Sequence, residues 1–336
     1  MTLQYRPWGP LDWLVPRLPN RDWSLLGVQS TEDRCSAALE ILHPSLSAMR
    51  FLRIVDPAPS PQDAYDDLLA QSHVALTGLG TPAECFVEAP LLADIDRMRD
   101  ELSAFLKIST PHVMLDITSM PKWWFFPLVR WLIENEAVDT LVATYATAET
   151  YGKQLSTDPL PLAPLPTFNE PPNRTRNDEL VIGIGFAPLS LREIYNADAR
   201  KIRYLFPFPP GPPNFMRNWE FLRVLETEIE NRSMDENDRH FVHMYDCGSV
   251  FQALRQWTND GRRETALAPF GPKTMSLAMC VFAIAAAGQG RPPVHIFYTQ
   301  PRRYAFDYST GISRIEGVPE VRGYCLKLAG APVYTL

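Results

Sequence analysis

A short turn in the first half of this chain combines hydroxyl groups and a lysine in a pattern that suits phosphate binding. Asp116 ends an apolar run, and Thr118, Ser119 and Lys122 follow it before a second apolar run begins. In an open parallel sheet, ligands bind beyond the carboxyl ends of the strands, where helix N-termini attract phosphate or carboxylate groups. We therefore expect this turn to bind an anion.

The second half of the chain contains a related turn. Gly271, Lys273 and Thr274 again lie between an apolar run and a long apolar segment. Each turn is followed by another strand-like run that ends in a tyrosine, Tyr145 in the first half and Tyr298 in the second. The repetition predicts two related units, and it favours one composite site to which each turn contributes a half.

The use of lysine strengthens the match between the two turns. The chain has only six lysines among its 32 basic residues, and two of the six occupy these matched positions. A lysine ammonium brings a compact charge to phosphate on a flexible stem, whereas arginine recognises phosphate through a planar fork. A solvated surface lysine is the ordinary alternative for a single turn. The duplication favours an anion site over that alternative.

Further candidate residues fall at the ends of other predicted strands. Ser30 follows the first strand of the first half, and Gly185 and Phe186 follow the first strand of the second half. Gly183 and Gly185 lack the third glycine of a dinucleotide fingerprint, so a tight turn is their ordinary explanation. Asp116 has three open roles: orienting the hydroxyls after it, holding a metal, or capping the next turn.

No catalytic residue is predicted, because no convincing nucleophile and base pair is visible in the sequence. His-Glu-x-x-His, Gly-x-Ser-x-Gly and Walker phosphate-loop motifs are absent. The five cysteines are scattered and include no Cys-x-x-Cys pair, so neither a zinc knuckle nor a disulfide framework is indicated. We predict no metal site and no cofactor.

The elements that must position the turns alternate between short apolar strands and segments with helical spacing. Five strand-like runs lie between residues 23 and 145, and the same order returns with larger loops between residues 180 and 298. The second half includes helices predicted over 189–197 and 218–229. Such alternation predicts parallel sheets covered by helices. The expected fold class is α/β, with two tandem Rossmann-like domains in a pseudo-two-fold arrangement and mostly parallel sheets.

A proline-rich segment lies between the two halves. Residues 158–174 contain six prolines, which remove amide donors and favour extended, semi-rigid backbone. We interpret the segment as a linker between a domain of residues 1–157 and a domain of residues 175–336. A recognition motif for proline-binding modules is the alternative. The glycine-containing segment after Tyr308 is predicted to form a short, β-rich C-terminal extension of the second domain.

Length, composition and charge limit the functional classes. A chain of 336 residues with 46% hydrophobic residues can build two cores. The net charge of −7 argues against binding of long duplex nucleic acid, although a local basic pocket remains compatible with it. The N-terminus lacks a secretory signal pattern, and the longest apolar run, over 275–288, is too short to span a bilayer. We expect a cytoplasmic protein without a membrane partner.

The two turns resemble the motif that follows the fourth strand of CRISPR-associated Rossmann fold (CARF) domains and the related SAVED domains. The residues that carry the resemblance are Asp-Ile-Thr-Ser-Met-Pro-Lys at 116–122 and Pro-Phe-Gly-Pro-Lys-Thr-Met at 269–275. The family motif typically reads Asp-x-Thr-Gly-Gly-Thr-Lys, and the predicted strand order extends the resemblance over nearly all of the chain. SAVED domains join two such units in one polypeptide.

The resemblance implies a binding site for a cyclic oligonucleotide or a related nucleotide second messenger between two CARF-like domains. The implied contacts with phosphate and ribose come from the two turns, at Thr118, Ser119, Lys122, Gly271, Lys273 and Thr274. Ser30 and Phe186 would lie near bases. Asp116, Tyr145, Gly185 and Tyr298, at the ends of the same strands, complete the predicted ligand-binding set.

The resemblance also implies a role in prokaryotic antiphage defence, as in CRISPR and CBASS systems. Because the sequence carries no recognisable nuclease, protease, TIR or transmembrane effector, we expect a sensor subunit that signals to an effector protein partner. One alternative is a metal-independent ring nuclease that cleaves its ligand through positioning and electrostatics. Others are a scaffold subunit without a ligand and a metabolic enzyme acting on nucleotides or sugars.

Overall fold

The chain forms two compact units. The computed structural model describes residues 5–19, 22–55, 61–152, 155–168, 177–185, 199–208, 223 and 238–336. Unit 1 comprises Met1–Asp158 and Pro301–Val333, and unit 2 comprises Pro159–Gln300 and Tyr334–Leu336. Both units combine helices with parallel and antiparallel strands, so the protein is of mixed α/β class.

Strands β1 to β8 belong to the part of unit 1 that precedes unit 2 in the chain. The second strand is mostly apolar and is buried at all seven positions, as a central parallel strand requires. The bounds are β1 Trp8–Pro10, β2 Trp23–Gln29, β3 Leu46–Val55, β4 Phe86–Pro90, β5 His112–Asp116, β6 Thr140–Ala146, β7 Ala148–Tyr151 and β8 Ser156–Pro159.

Strands β9 to β14 build unit 2, and the remaining strands return to unit 1. The unit 2 strands are β9 Ala163–Pro164, β10 Asn177–Gly183, β11 Ala199–Phe208, β12 Arg239–His243, β13 Thr265–Pro269 and β14 Val294–Tyr298. The returning strands are β15 Pro301–Tyr304, β16 Ser309–Ile312, β17 Arg314–Ile315, β18 Val318–Pro319, β19 Val321–Leu328 and β20 Ala331–Pro332.

Seven α-helices lie in the described parts of the chain. Helix α4 shows how the sequence specifies them: Asp94 caps its N-terminus by accepting a hydrogen bond from the Arg97 amide at 2.7 Å, and Met98, Leu102 and Phe105 are buried at helical spacing. The helices are α1 Leu11–Leu14, α2 Ala37–Leu42, α3 Gln62–Gly78, α4 Ile95–Leu106, α5 Lys122–Glu134, α6 Cys247–Trp257 and α7 Lys273–Gly288.

Short 3-10 helices supplement them at Val15–Arg17, Asp33–Ser36, His43–Ser45 and Ala83–Cys85. Within the described ranges, no helix is both long enough and apolar enough to cross a membrane. Phe186 lies outside the described residues. The helices predicted over 189–197 and 218–229 also lie outside them, apart from Arg223, which is helical.

The main sheets of the two units share one strand order. In unit 1 the order is β1-β19-β6-β5-β2-β3-β4, with β20 beside β19, and β2 to β6 run parallel. In unit 2 the order is β12-β11-β10-β13-β14-β9, and β10 to β14 run parallel. In each sheet the first parallel strand is central, with the second and third strands on one side and the fourth and fifth on the other.

This order creates a reversal point in each sheet. In unit 1 the chain adds β3 and β4 on one side of β2, and then adds β5 and β6 on the other side, so the direction reverses between β2 and β5. In unit 2 the direction reverses in the same way between β10 and β13. Open α/β sheets bind ligands beyond the carboxyl ends of the strands at such a reversal. The fold therefore points to the segments after β2 and β5 in unit 1 and after β10 and β13 in unit 2.

The C-terminal segment differs from its prediction as an extension of a second domain over 175–336. Residues 301–333 belong to unit 1, where β19 pairs antiparallel with both β6 and β1. Tyr324, Cys325 and Leu326 are buried there. The pairing covers the edge of β6 and satisfies its backbone groups. Two strands separated by about half the chain pair in this way, and no local sequence pattern indicates which strands will do so.

The proline-rich segment is also more than a spacer. Within the predicted linker of 158–174, β9 pairs antiparallel with β14 at the edge of the unit 2 sheet. Leu165 and Phe168 are buried, and the Leu165 amide donates to the Ile296 carbonyl at 2.9 Å. Proline is tolerated on such an edge strand because its missing amide costs no central ladder bond. Residues 169–174 lie outside the described part of the chain.

Candidate anion-binding turns

The two predicted lysines occupy the same position in their respective units. Lys122 is the first residue of α5, directly after Pro121, and α5 follows the turn after β5. Lys273 is the first residue of α7, directly after Pro272, and α7 follows the turn after β13. In both units the lysine thus begins the helix that follows the fourth parallel strand. No side chain caps either helix N-terminus in the described structure.

The turn after β5 is organised by Asp116. Its Oδ1 accepts hydrogen bonds from the Thr118 amide at 3.1 Å, the Thr118 hydroxyl at 2.5 Å and the Thr144 hydroxyl at 3.0 Å. The Thr118 hydroxyl also accepts a bond from the Ala146 amide at 2.9 Å. Asp116, Thr118 and Thr144 are buried, so these bonds fix the turn against the end of β6. Of the three roles considered for Asp116, these bonds support two: the hydroxyl bonds orient the threonine side chains, and the bond from the Thr118 amide caps the turn.

Ser119 and Lys122 are the groups of this turn that are best suited to meet a ligand. The Ser119 hydroxyl has no hydrogen-bond partner among the described residues, although its oxygen is buried. Lys122 is only 6% exposed, which leaves its charge in a less solvated setting than a surface lysine. An ammonium group in such surroundings interacts with an anion more strongly than it does in water. The Thr118 hydroxyl is already occupied within the protein.

The turn after β13 depends on close packing around a glycine. A Cβ on Gly271 would lie 2.7 Å from the Met275 sulfur and 3.0 Å from the Ile184 carbonyl oxygen. Thr274 is fully buried, and its hydroxyl donates to the Met244 carbonyl. This bond ties the start of α7 to the segment after β12, so Thr274 positions the helix. Lys273 is the more exposed member of the turn.

Gly185 is required for close packing at the reversal point of unit 2. A Cβ at this position would lie only 1.8 Å from the carbonyl oxygen of Phe270. Gly183, two residues earlier, packs against the side chain of Met275, because a Cβ on Gly183 would lie 2.9 Å from the Met275 sulfur. Both glycines therefore let the end of β10 approach the turn after β13. These contacts show close packing, and the tight turn that the sequence suggested for the pair stays a prediction.

The remaining predicted residues lie at strand ends with varied surroundings. The Ser30 hydroxyl accepts a hydrogen bond from the Glu32 amide at 3.0 Å, directly after β2. Tyr298 ends β14, and its ring lies 5.7 Å from that of Phe270. Tyr145 lies in β6, and its hydroxyl contacts the Tyr151 hydroxyl at 3.1 Å. Lys122, Ser119 and Tyr145 belong to unit 1, and Lys273 and Tyr298 belong to unit 2.

A buried arginine lies in the turn after β2, and no sequence pattern indicates its role. Arg34 is 1% exposed and donates from both Nε and Nη2 to the Glu32 carboxylate, at 2.9 and 2.7 Å. Its Nη1 donates to the Ala146 carbonyl at 3.0 Å and to the hydroxyls of Tyr145 and Tyr151, each at 3.3 Å. Arginine is almost never buried unless it is paired; here the charge partner Glu32 is local, whereas the other three partners come from distant parts of the chain.

The charges in this network are stable at neutral pH. Burial alone would lower the pKa of Arg34, but the Glu32 carboxylate and the tyrosines raise it well above its ordinary value, so the guanidinium stays charged. Burial raises the pKa of Tyr151 and of Tyr308, so both phenols stay protonated. Burial also raises the pKa of the Cys35 thiol to about 12, which leaves it neutral.

The described residues contain no group of three or more histidine, cysteine, aspartate or glutamate side chains that could hold a metal ion. No protein-family model matches the chain, and a search of curated proteins gives no significant match. The fold and the chemistry of the two turns are therefore the observations that bear on function.

Proposed function

We propose that this protein is a nucleotide-sensing subunit of a prokaryotic antiphage defence system. In this proposal both units are Rossmann-like and of the CARF type, and their matched turns bind the phosphates of a cyclic oligonucleotide or a related nucleotide second messenger. The supporting observation is that Lys122 and Lys273 each begin the helix after the fourth parallel strand, beside a strand-order reversal.

The chemistry of the turns supports an anionic ligand. The amides at the N-terminus of a helix and the helix dipole both favour negative charge, and a lysine at the first position adds a full positive charge. Lys122, together with the unpartnered hydroxyl of Ser119, offers a charge and a hydrogen-bond donor within one turn. The overall charge of −7 favours a small ligand over a long duplex, because the chain has no general excess of basic residues.

The two turns differ in a way that suits an asymmetric ligand. Asp116 and its hydroxyl partners hold the turn of unit 1, whereas Gly271 and close packing hold the turn of unit 2. Two half-sites within one chain can diverge independently, which the identical subunits of a symmetric dimer cannot do. The composite site for both turns stays a prediction from the sequence.

A sensor needs a partner that acts on the signal. We therefore include in the proposal an effector protein that recognises the ligand-bound form, and a cytoplasmic location in which both would meet the ligand. A ligand shifts such an equilibrium only by its difference in affinity for the two forms. The partner is thus expected to bind more tightly when ligand is present.

Isothermal titration of the purified protein against a panel of cyclic di-, tri- and tetranucleotides that covers all four bases tests the proposal. Binding of at least one compound, with a Kd in the micromolar range or tighter, is the expected result. Absence of binding across cyclic nucleotides of all four bases would exclude it. Chromatography of the ligand after prolonged incubation separates the two activities: intact ligand supports a sensor, and linear products would replace the sensor with a ring nuclease.

A further inference from the structure

The segment after β2 is bonded to three other parts of unit 1. We name residues 30–36 the β2 turn, and the antiparallel pair of β7 and β16 the C-terminal ribbon. In this ribbon Ser309 pairs with Tyr151, and Ile312 pairs with Ala148. The β2 turn lies at the strand-order reversal of the sheet, where a ligand of this fold class is expected. The hydrogen bonds of the β2 turn therefore determine which other parts of unit 1 would respond to a ligand bound at that turn.

Glu32 joins the β2 turn to the ribbon. Its carboxylate is 7% exposed, and its Oε2 accepts bonds from Arg34 and from the Ser309 hydroxyl, the latter at 2.5 Å. The next residue also binds the ribbon, because Asp33 Oδ2 accepts a hydrogen bond from the Gly311 amide at 2.9 Å. Hydrogen bonds to ionised groups are stronger than bonds between neutral groups. The two carboxylates therefore hold β16 at two positions, Ser309 and Gly311.

Arg34 joins the same turn to the end of β6 and to β7. It donates to the Ala146 carbonyl, and its guanidinium carbon lies 5.3 Å from the ring centre of Tyr151. The end of β6 is in turn bonded to Thr118 through the Ala146 amide at 2.9 Å. The network thus connects the β2 turn, the turn after β5 and the C-terminal ribbon through consecutive hydrogen bonds. Breaking one member leaves a buried charge without its full set of partners.

The connection continues towards the surface of the C-terminal segment. Arg314 forms a two-pronged ion pair with Glu40 of α2, with N–O distances of 2.7 and 2.9 Å. Arg314 begins the β17–β18 hairpin, where Ile315 and Val318 pair with each other. These two apolar side chains are 61% and 41% exposed. A shift of β16 would therefore move an exposed hairpin.

We propose that the β2 turn and the C-terminal ribbon form a latch that couples the carboxyl edge of the unit 1 sheet to the β16–β18 segment. That a nucleotide ligand shifts this latch rests on the proposed function. The latch itself is a property of the fold. The bonds of a buried polar network strengthen one another, and the loss of one partner leaves a buried polar group unsatisfied, so a change at one end of the network weakens the bonds at the other end.

Hydrogen–deuterium exchange of the full chain tests the latch without any ligand. Ser309→Ala removes one bond to Glu32, and we expect amide exchange in residues 30–36 to become about tenfold faster, the factor typical for loss of a bond to an ionised group. Thr310→Ala is the matched control, because this neighbour on β16 is exposed and should leave exchange in the turn unchanged. Peptides from α5 report whether either variant has lost its core.

The reciprocal variant and a ligand titration complete the test. Glu32→Gln should accelerate exchange in residues 309–312, and faster exchange confined to the mutated element in both variants would overturn the latch. With the same panel of cyclic di-, tri- and tetranucleotides of all four bases as probes, a compound that binds should change exchange in residues 309–319; binding without that change also overturns the coupling. If no compound binds, the proposed function fails, and the two variants alone decide whether the latch exists.

Discussion

Asp116 is the residue on which the turn after β5 depends. Replacing it with alanine would leave the hydroxyls of Thr118 and Thr144 buried without their acceptor, at a cost of about 3 kcal/mol in the free energy of unfolding. Asp100→Ala is a matched control, because Asp100 lies exposed on α4 and its loss should change stability by about 0.5 kcal/mol or less. Chemical denaturation of both variants measures the difference. Equal stabilities would mean that Asp116 does not organise the turn.

Gly185 makes a second prediction at the residue scale. Gly185→Ala would force a methyl group to within 1.8 Å of the Phe270 carbonyl oxygen, and the backbone shift should cost about 2 kcal/mol or more. Gly288→Ala at the end of α7 meets no atom within 4 Å and should be neutral or slightly stabilising. Thermal melting of the two variants compares them. A Gly185→Ala protein as stable as the wild type would contradict the close packing at the reversal point.

The buried thiol of Cys35 predicts how stability depends on alkaline pH. Burial raises its pKa from about 9 to about 12, so the fold favours the neutral thiol. The neutral thiol therefore contributes to the free energy of unfolding. This contribution is fully present below pH 9, and it falls by up to about 1.4 kcal/mol per pH unit as the pH rises towards 12. Denaturation midpoints between pH 8 and pH 10 should fall less steeply for Cys35→Ala than for the wild type. Identical pH dependence would show that Cys35 is not held neutral by burial.

At the scale of elements, local patterns predicted the parallel strands well. The runs predicted at 112–117 and 265–269 are β5 and β13, because apolar segments followed by turn residues are a local signal. The place of β19 could not be predicted, because its pairing with β6 depends on contacts between distant parts of the chain. The role of Arg34 could not be predicted for the same reason, because its partners Tyr145 and Ala146 lie more than a hundred positions away in the sequence.

The position of β19 leads to a prediction about the C-terminal segment. A chain that ends at Gln300 would lack β19, so the edge of β6 and the apolar residues that β19 covers would be exposed. We expect this variant to aggregate, since unpaired strand edges promote association. The measurement is the soluble fraction and the cooperativity of unfolding, compared with the full chain. A soluble variant whose unit 1 unfolds as cooperatively as in the full chain would show that β19 is dispensable.

At the scale of the whole molecule, the matched strand orders matter more than any single motif. Each unit places a lysine at the start of the helix after its fourth parallel strand, yet the two turns are held by different interactions. The sequence indicated the lysines, because their spacing from neighbouring strands is a local property. It did not indicate that the Thr118 and Thr274 hydroxyls are occupied within the protein, since their acceptors are set by tertiary contacts.

The most direct test of the central claim is ligand affinity in lysine variants. For a cyclic nucleotide that binds the wild-type protein, isothermal titration should show affinity reduced about tenfold or more in Lys122→Ala and in Lys273→Ala, because each lacks a charge that the proposal places against phosphate. Lys107→Ala, at the exposed C-terminal end of α4, should bind like the wild type. Unchanged affinity in both Lys122→Ala and Lys273→Ala would contradict the account.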